Sequence, residues 1–184
     1  MNLEDPHQYR ALGYMIDGTP FFIRAVREWD RKGLLDLFNR SSQRSRYFRF
    51  FENKTSLTDA ELDYYTHLDF YHHAALVAEV ASPREGLVAV GRYIEILPEQ
   101  SPRRAEVAFL TRDDYHGRGV ATQLLKHLIR IARLNNIELF EAEMMASNTK
   151  MLEVFEHSGY ELKHNREAGS IRVTFPIRDE RIPF

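Results

Sequence analysis

Apolar positions along the chain change their spacing several times, and each change predicts an element. Residues 9–16 (YRALGYMI) and 19–26 (TPFFIRAV) read as two strands. Asp17-Gly18 between them reads as a hairpin turn, because Asp and Gly tolerate the positive φ such turns need. Asp30 is placed to cap a helix over Arg31 to Asn39, with Leu34, Leu35 and Phe38 on one face. Thr58 opens a second helix, TDAELDYYTHL, and Thr58 with Glu61 fits a capping box. A strand-rich block follows: Ala74 to Val80, Leu87 to Leu97 and Arg104 to Thr111. Ser82 to Gly86 and Pro98 to Pro102 supply the turns between them.

Gly117 to Asn135 then switches to helical spacing. Val120, Ala121, Leu124, Leu125, Leu128, Ile131 and Ala132 form its stripe, and Lys126, Arg130 and Arg133 face outward. Ile137 to Met144 reads as a strand, Asn148 to His157 as a short helix ended by Gly159. Tyr160 to Lys163 and Ser170 to Ile177 read as the last strands. Strands and helices alternate irregularly, with several consecutive strands in the middle. That order favours a mixed α/β (α+β) sheet over a doubly wound parallel one.

Composition narrows the function classes. The 184 residues carry 25 basic and 27 acidic side chains, a formal charge of −2. That balance leaves no electrostatic footprint for nucleic acid or an anionic membrane. Cysteine is absent, so disulfides, thiolate metal sites and cysteine nucleophiles are excluded. The start of the chain lacks a basic region followed by an apolar one, and no run approaches the roughly 20 apolar residues of a membrane span. A single cytoplasmic domain, residues 1–184 with its first hairpin from about residue 9, is the expectation.

Residues 104–125, RAEVAFLTRDDYHGRGVATQLL, carry the chemistry. A strand runs through a polar turn and two glycines into a helix. The first N–H groups of a helix have no intrahelical partner, and the helix dipole adds positive potential there. Glycine lets the backbone approach a ligand closely. Gly117 and Gly119, with Arg118 between them, therefore suit a phosphate or pyrophosphate. They equally fit an ordinary turn and helix start. No Gly-Lys-Ser/Thr follows, and a third glycine is missing, so nucleotide P-loop and dinucleotide readings fit poorly.

His116-Gly117-Arg118-Gly119-Val120-Ala121 resembles the R/Q-x-x-G-x-G/A motif of GNAT acyltransferases. NTKMLEVFEHSGY, from Asn148, is similar to that family's asparagine-to-Gly-aromatic segment. FFIRAV, LFNRSSQRSRYFRFF and LTDAELDYYTHLDFYHHAALVAEV resemble the GNAT domain of bacterial protein lysine acetyltransferases. The resemblance implies a GNAT fold: about seven strands in a mixed sheet, a splayed parallel pair and about four flanking helices. It implies acetyl-CoA as co-substrate, and a primary amine, such as a protein lysine, as acceptor. It leaves a homodimer open.

The resemblance also implies the site. Leu110 and Thr111 would contact pantetheine, and the amides of Gly117, Gly119, Val120 and Ala121 the pyrophosphate. Asn148 would place the pantetheine end, and His116, Arg118, Thr122 and Phe155 complete the cofactor set. No metal is implied. Glu106 is the candidate general base, with Glu141 and Glu143 as alternatives; an exposed strand glutamate or one paired to Arg104 is the competing reading. A lysine-like ammonium, pKa about 10.4, must lose a proton before it attacks.

The chain departs from the motif in two places. His116 stands where the family has Arg or Gln, and Phe155 where many members have a tyrosine that protonates the leaving thiolate. Tyr160 is expected in the core rather than as its substitute. The lost hydroxyl keeps a second class in view, a non-catalytic acyl-CoA-binding module. His72-His73 reads as a strand-entry loop rather than a metal pair. Arg44, Arg46 and Arg49 are expected to be solvated or to line an acceptor groove, with Tyr47, Phe48 and Phe50 in the core. Trp29 is expected to pack under the first helix.

Overall fold

The computed structural model describes residues 5–82, 84–98 and 100–178. Pro83 and Glu99, one in each predicted turn of the strand-rich block, lie outside them, as do the first four residues. Eight strands form one sheet in the order β1-β2-β3-β4-β5-β6-β8-β7. They are β1 (Arg10–Tyr14), β2 (Pro20–Ala25), β3 (His73–Val80), β4 (Leu87–Ile96), β5 (Arg104–Thr111), β6 (Leu139–Met145), β7 (Lys163–Glu167) and β8 (Ser170–Pro176). Every neighbouring pair is antiparallel except β5 and β6. The helices are α1 (Arg31–Arg40), α2 (Gln43–Phe50), α3 (Asp59–Thr66), α4 (Val120–Leu134) and α5 (Thr149–Glu156).

The sheet is buried on both faces. α4 lies across β3 and β4, and its stripe packs with Tyr93, Val107, Phe109 and Phe140 into the larger core. Leu34 and Leu37 of α1 and Leu62 of α3 pack with Val77, Val90 and Leu110 on the opposite face. Central strands covered on both sides read as near-continuous apolar runs, which is why residues 74–78 are all buried. Among the described residues, no helix is long and apolar enough to cross a membrane.

The structure differs from the sequence reading in several places. There are eight strands and five helices among the described residues, not about seven and four. The added helix, α2, falls in the basic-aromatic run. Ser42 caps it by accepting from the Ser45 amide, and the Asp113 carboxylate holds both serines from 68 or more residues away. Local periodicity carries no such signal.

β7 starts at Lys163, and Tyr160 sits in the core with its hydroxyl accepting from Arg133. β7 is exposed along its whole length and pairs only with β8, so it shows no alternation. α4 starts at Val120, because Gly117 and Gly119 both have left-handed φ. Trp29 is 77% exposed on a 3-10 turn, with the Arg27 guanidinium over its ring. Asp30 does not cap α1. The Arg24 guanidinium claims its carboxylate at 2.7 and 2.8 Å, and the Arg27 amide donates to it at 2.8 Å. The Thr58–Glu61 capping box is present, with reciprocal bonds of 2.9 and 3.2 Å.

Candidate active site

β5 and β6 pair through three rungs only, Arg104 to Leu139, Ala105 to Phe140 and Glu106 to Glu141. Beyond Glu106 the strands separate. β5 continues to Thr111 bonded only to β4, and β6 to Met145 bonded only to β8. Half of the backbone groups on each separated segment therefore face the gap without a ladder partner. The gap widens into a cavity of about 600 Å³ lined by residues 106–111 of β5, 142–144 of β6, the start of α4, and α2 and α5. It is the large cavity of the described fold and matches the size of small-molecule sites.

One end of the cleft is the start of α4. A 3-10 turn, Asp113–Tyr115, leads to Gly117 at φ 69° and Gly119 at φ 83°. A Cβ on Gly117 would meet no atom within 4 Å, and one on Gly119 would meet only Ile16 at 3.5 Å. Packing does not require these glycines; the left-handed backbone does. Gly119 is the N-cap and offers no side chain, so the first amides of α4 have no protein acceptor from their cap. His116 donates from Nε2 to the Thr111 carbonyl at 2.8 Å, which pins the turn against the end of β5.

Arg118 behaves differently from its two glycine neighbours. Its guanidinium pairs with Asp17 at 2.6 Å and lies over the Tyr115 ring, and it does not line the cavity. Hydrogen bonds from Thr19 and then the Arg118 guanidinium hold the Asp17 carboxyl at about 2. Of the other implied cofactor residues, Leu110, Thr111, His116, Gly117, Gly119, Val120, Ala121, Thr122, Asn148 and Phe155 all line the cavity. Asn148 caps α5 by accepting from the Met151 amide. Phe155 is 1% exposed, edge-on to Phe109 and tilted against Phe175.

Glu106 lies at the cleft's other end, where the strands part. It is exposed to the cavity, and no ion pair or hydrogen bond to it exists among the described residues. Arg104 pairs instead with Glu141 at 3.0 Å, and Arg172 with Glu143 at 3.1 Å. Of the three candidate carboxylates, only Glu106 is unengaged. α2 adds a wall that the sequence reading identified only in part: Arg44, Ser45, Phe48 and Arg49 line the cavity, Arg46 does not. The signal for it was the Ser42-x-x-Ser45 cap ahead of an aromatic run.

His72 and His73 do not act as a pair. His72 bonds Glu95 at 2.7 Å, while His73 turns inward to Arg92. Burial, with Arg92 beside it, pushes His73 down to about 4.

A mixed sheet with one splayed parallel pair, a glycine-started helix at one end of its cleft and an unengaged glutamate at the other mark the architecture as that of an acyltransferase fold. Residues 26–160 match the family model "Acetyltransferase (GNAT) family". The chain belongs to that family and is by that membership an acetyltransferase. It is 33% identical over 136 residues to an acetyltransferase of Pseudomonas aeruginosa, covering 73% of this chain and 72% of the relative. It is similar to the crystal structure of the GNAT domain of S. lividans PAT, with 34% identity, a TM-score of 0.83, and coverage of 91% of this chain and 96% of that one. The fold is also shared with spermidine N-acetyltransferase from Vibrio cholerae, solved with CoA and spermine, at 20% identity and a TM-score of 0.66 over 85% of this chain and 95% of that one.

Proposed function

We propose that this protein transfers an acetyl group from acetyl-CoA to a primary amine, with a protein lysine as acceptor and Glu106 as general base. The observation that carries the reading is the arrangement of the cleft. Uncapped helix amides sit at one end, an unengaged glutamate at the other, and unpaired strand backbone joins them. Acetyl-CoA would supply the thioester. The amides after Gly117 and Gly119 suit its diphosphate, and the free edge of β5 at Leu110 and Thr111 suits its amide-bearing arm. Resemblance to bacterial protein lysine acetyltransferases supports the lysine acceptor.

The amine must reach the thioester uncharged. Glu106 takes its proton, directly or through water, as the N–C bond forms and the C–S bond breaks. Phe155 has no proton to give. A thiol of pKa about 8.5 leaves as thiolate without help near neutral pH. Glu106→Gln should lower kcat/KM by about 10²–10⁴ while acetyl-CoA binding stays at the parent level. Retention of full activity in Glu106→Gln would remove the base assignment.

Phe155 favours a second reading, an acyl-CoA-binding module without turnover. The parent protein decides between them: release of free thiol in the presence of any amine or lysine protein supports transfer, and none with the whole panel supports the module.

A further inference from the structure

Several buried or half-buried arginines of this fold have a carboxylate at hand. Arg24 meets Asp30, Arg103 meets Glu95 and Arg112 meets Asp114. Arg92 and Arg49 do not. Arg92, on β4, is 4% exposed, and its neighbours are the Tyr65 ring at 4.1 Å and the His73 Nε2 at 3.3 Å. Arg49, on α2, touches the face of its neighbour Phe50 and makes no ion pair among the described residues. The two residues line one small cavity together, and Arg49 also lines the large cleft. They are close enough to repel each other, and burial with that repulsion brings Arg92 down to about 9.

A cation as buried as Arg92 is costly without a counter-ion, because nothing returns the solvation it lost, whereas Arg49 is half-buried and opens onto the cleft. Among the described residues, the carboxylate whose charge acts on Arg49 is Glu106. Arg92 lies opposite Ala108, two positions along β5 from Glu106, so both side chains share the α2 face of the sheet. Of the other carboxylates lining the cleft, Glu143 is held by Arg172 and Asp113 by Ser42 and Ser45, which leaves Arg49 as a guanidinium facing the cleft beside Glu106 without an ion pair among the described residues.

We propose that Arg49, backed by Arg92, is a carboxylate-recognition subsite, so that the acceptor is an amine carrying a carboxylate a few ångströms from its nitrogen. The idea rests on the transferase reading above. The acceptor's anion meets the Arg49 fork while its amine meets Glu106. A polyamine, cationic along its length, suits the pocket poorly. The carboxylate has two sources, a free amino acid or an acidic side chain beside a protein lysine.

The test is thiol release from acetyl-CoA with matched acceptor pairs. Lysine against cadaverine probes the free amino acid. Acetyl-Glu-Lys-amide against acetyl-Gln-Lys-amide probes the acidic flank. The carboxylate member of at least one pair should show kcat/KM about tenfold higher or more, and the pair that responds names the source. Arg49→Gln should bring that ratio to about one, while Arg49→Lys keeps part of it. Arg92→Met, which fills the volume without charge, should lower the same ratio. Equal rates within both pairs, or a preference for cadaverine, overturn the subsite.

A binding arm stands apart from turnover. Nε-acetyllysine should bind the CoA-saturated protein about tenfold more tightly than N-acetylcadaverine. Equal binding overturns the subsite even if no amine is acetylated. Absent turnover with that preference intact would instead overturn the transferase reading and leave the subsite standing.

Discussion

Gly119 shows how a single backbone angle can set a binding site. At φ 83° an L-residue costs about 1–2 kcal/mol, and no neighbour compensates, because only Ile16 stands within reach of a Cβ. Gly119→Ala should therefore destabilise the fold by roughly that amount. It should also tilt the α4 amides that the diphosphate is proposed to meet. Thermal melts with and without CoA separate the two effects. The parent midpoint should rise with CoA concentration by linkage, and the variant's rise should be smaller at every concentration. An equal rise in both would show that this turn does not hold the ligand. Glu106 is the complementary case. It shares a rung with Glu141, but Glu106 is exposed to the cleft and has no partner among the described residues, whereas Glu141 does not line the cleft and is paired with Arg104.

α2 is the element whose place depends most on a distant residue. The Asp113 carboxylate accepts from Ser42 N at 2.8 Å, Ser42 Oγ at 2.7 Å and Ser45 Oγ at 2.8 Å. Burial opposes its ionisation, yet these bonds hold its pKa below the usual carboxylate range. Asp113→Asn should cost about 1–2 kcal/mol, discounted for its partial exposure. Hydrogen exchange should quicken in residues 43–50 first. If α2 lines the acceptor side of the cleft, as proposed, KM for the acceptor should rise and KM for acetyl-CoA stay; a rise in the acetyl-CoA KM alone would contradict that division. This element also marks the limit of what the sequence discloses. Strands with apolar runs, the Thr58–Glu61 box and the glycine-started helix are legible because their causes lie within a few residues. α2, the exposed Trp29, the engagement of Asp30 by Arg24 and the edge strand β7 have causes elsewhere in the chain. Glu106 was legible as a candidate only through resemblance. That Arg104 would choose Glu141 over it follows from the register of β5 on β6, which no local pattern encodes.

Protonation couples the whole molecule to pH through two histidines on opposite sides of the sheet. His127, on α4, is bonded to the Tyr9 hydroxyl, and His73 enters β3 beneath Tyr64 and Arg92. Burial, then neighbouring cations, lowers both to about 4: Arg130 and Lys126 act on His127, Arg92 and Arg49 on His73, where Asp69 opposes them. An unfolded histidine titrates near 6.5. Between about pH 6.5 and 4 the unfolded chain therefore binds protons that the fold refuses, and stability falls as pH falls. The slope approaches about 1.4 kcal/mol per pH unit for each site at most, less where solvent reaches the ring. The carboxylates held low, Asp69, Asp113 and Glu95 among them, act in a different window. Their contribution is complete above the ordinary carboxylate range and is lost only as pH drops through and below it. Denaturant midpoints should thus begin to decline between about pH 7.5 and 5.5, above the ordinary carboxylate range, and continue to fall towards about pH 4.5. His127→Gln keeps an acceptor for Tyr9 but cannot titrate, so it should remove about half of that decline. A flat profile in the parent across this window, or an unchanged slope in His127→Gln, would mean that the rings are charged in the native state and that the protein accommodates two further cations within its core.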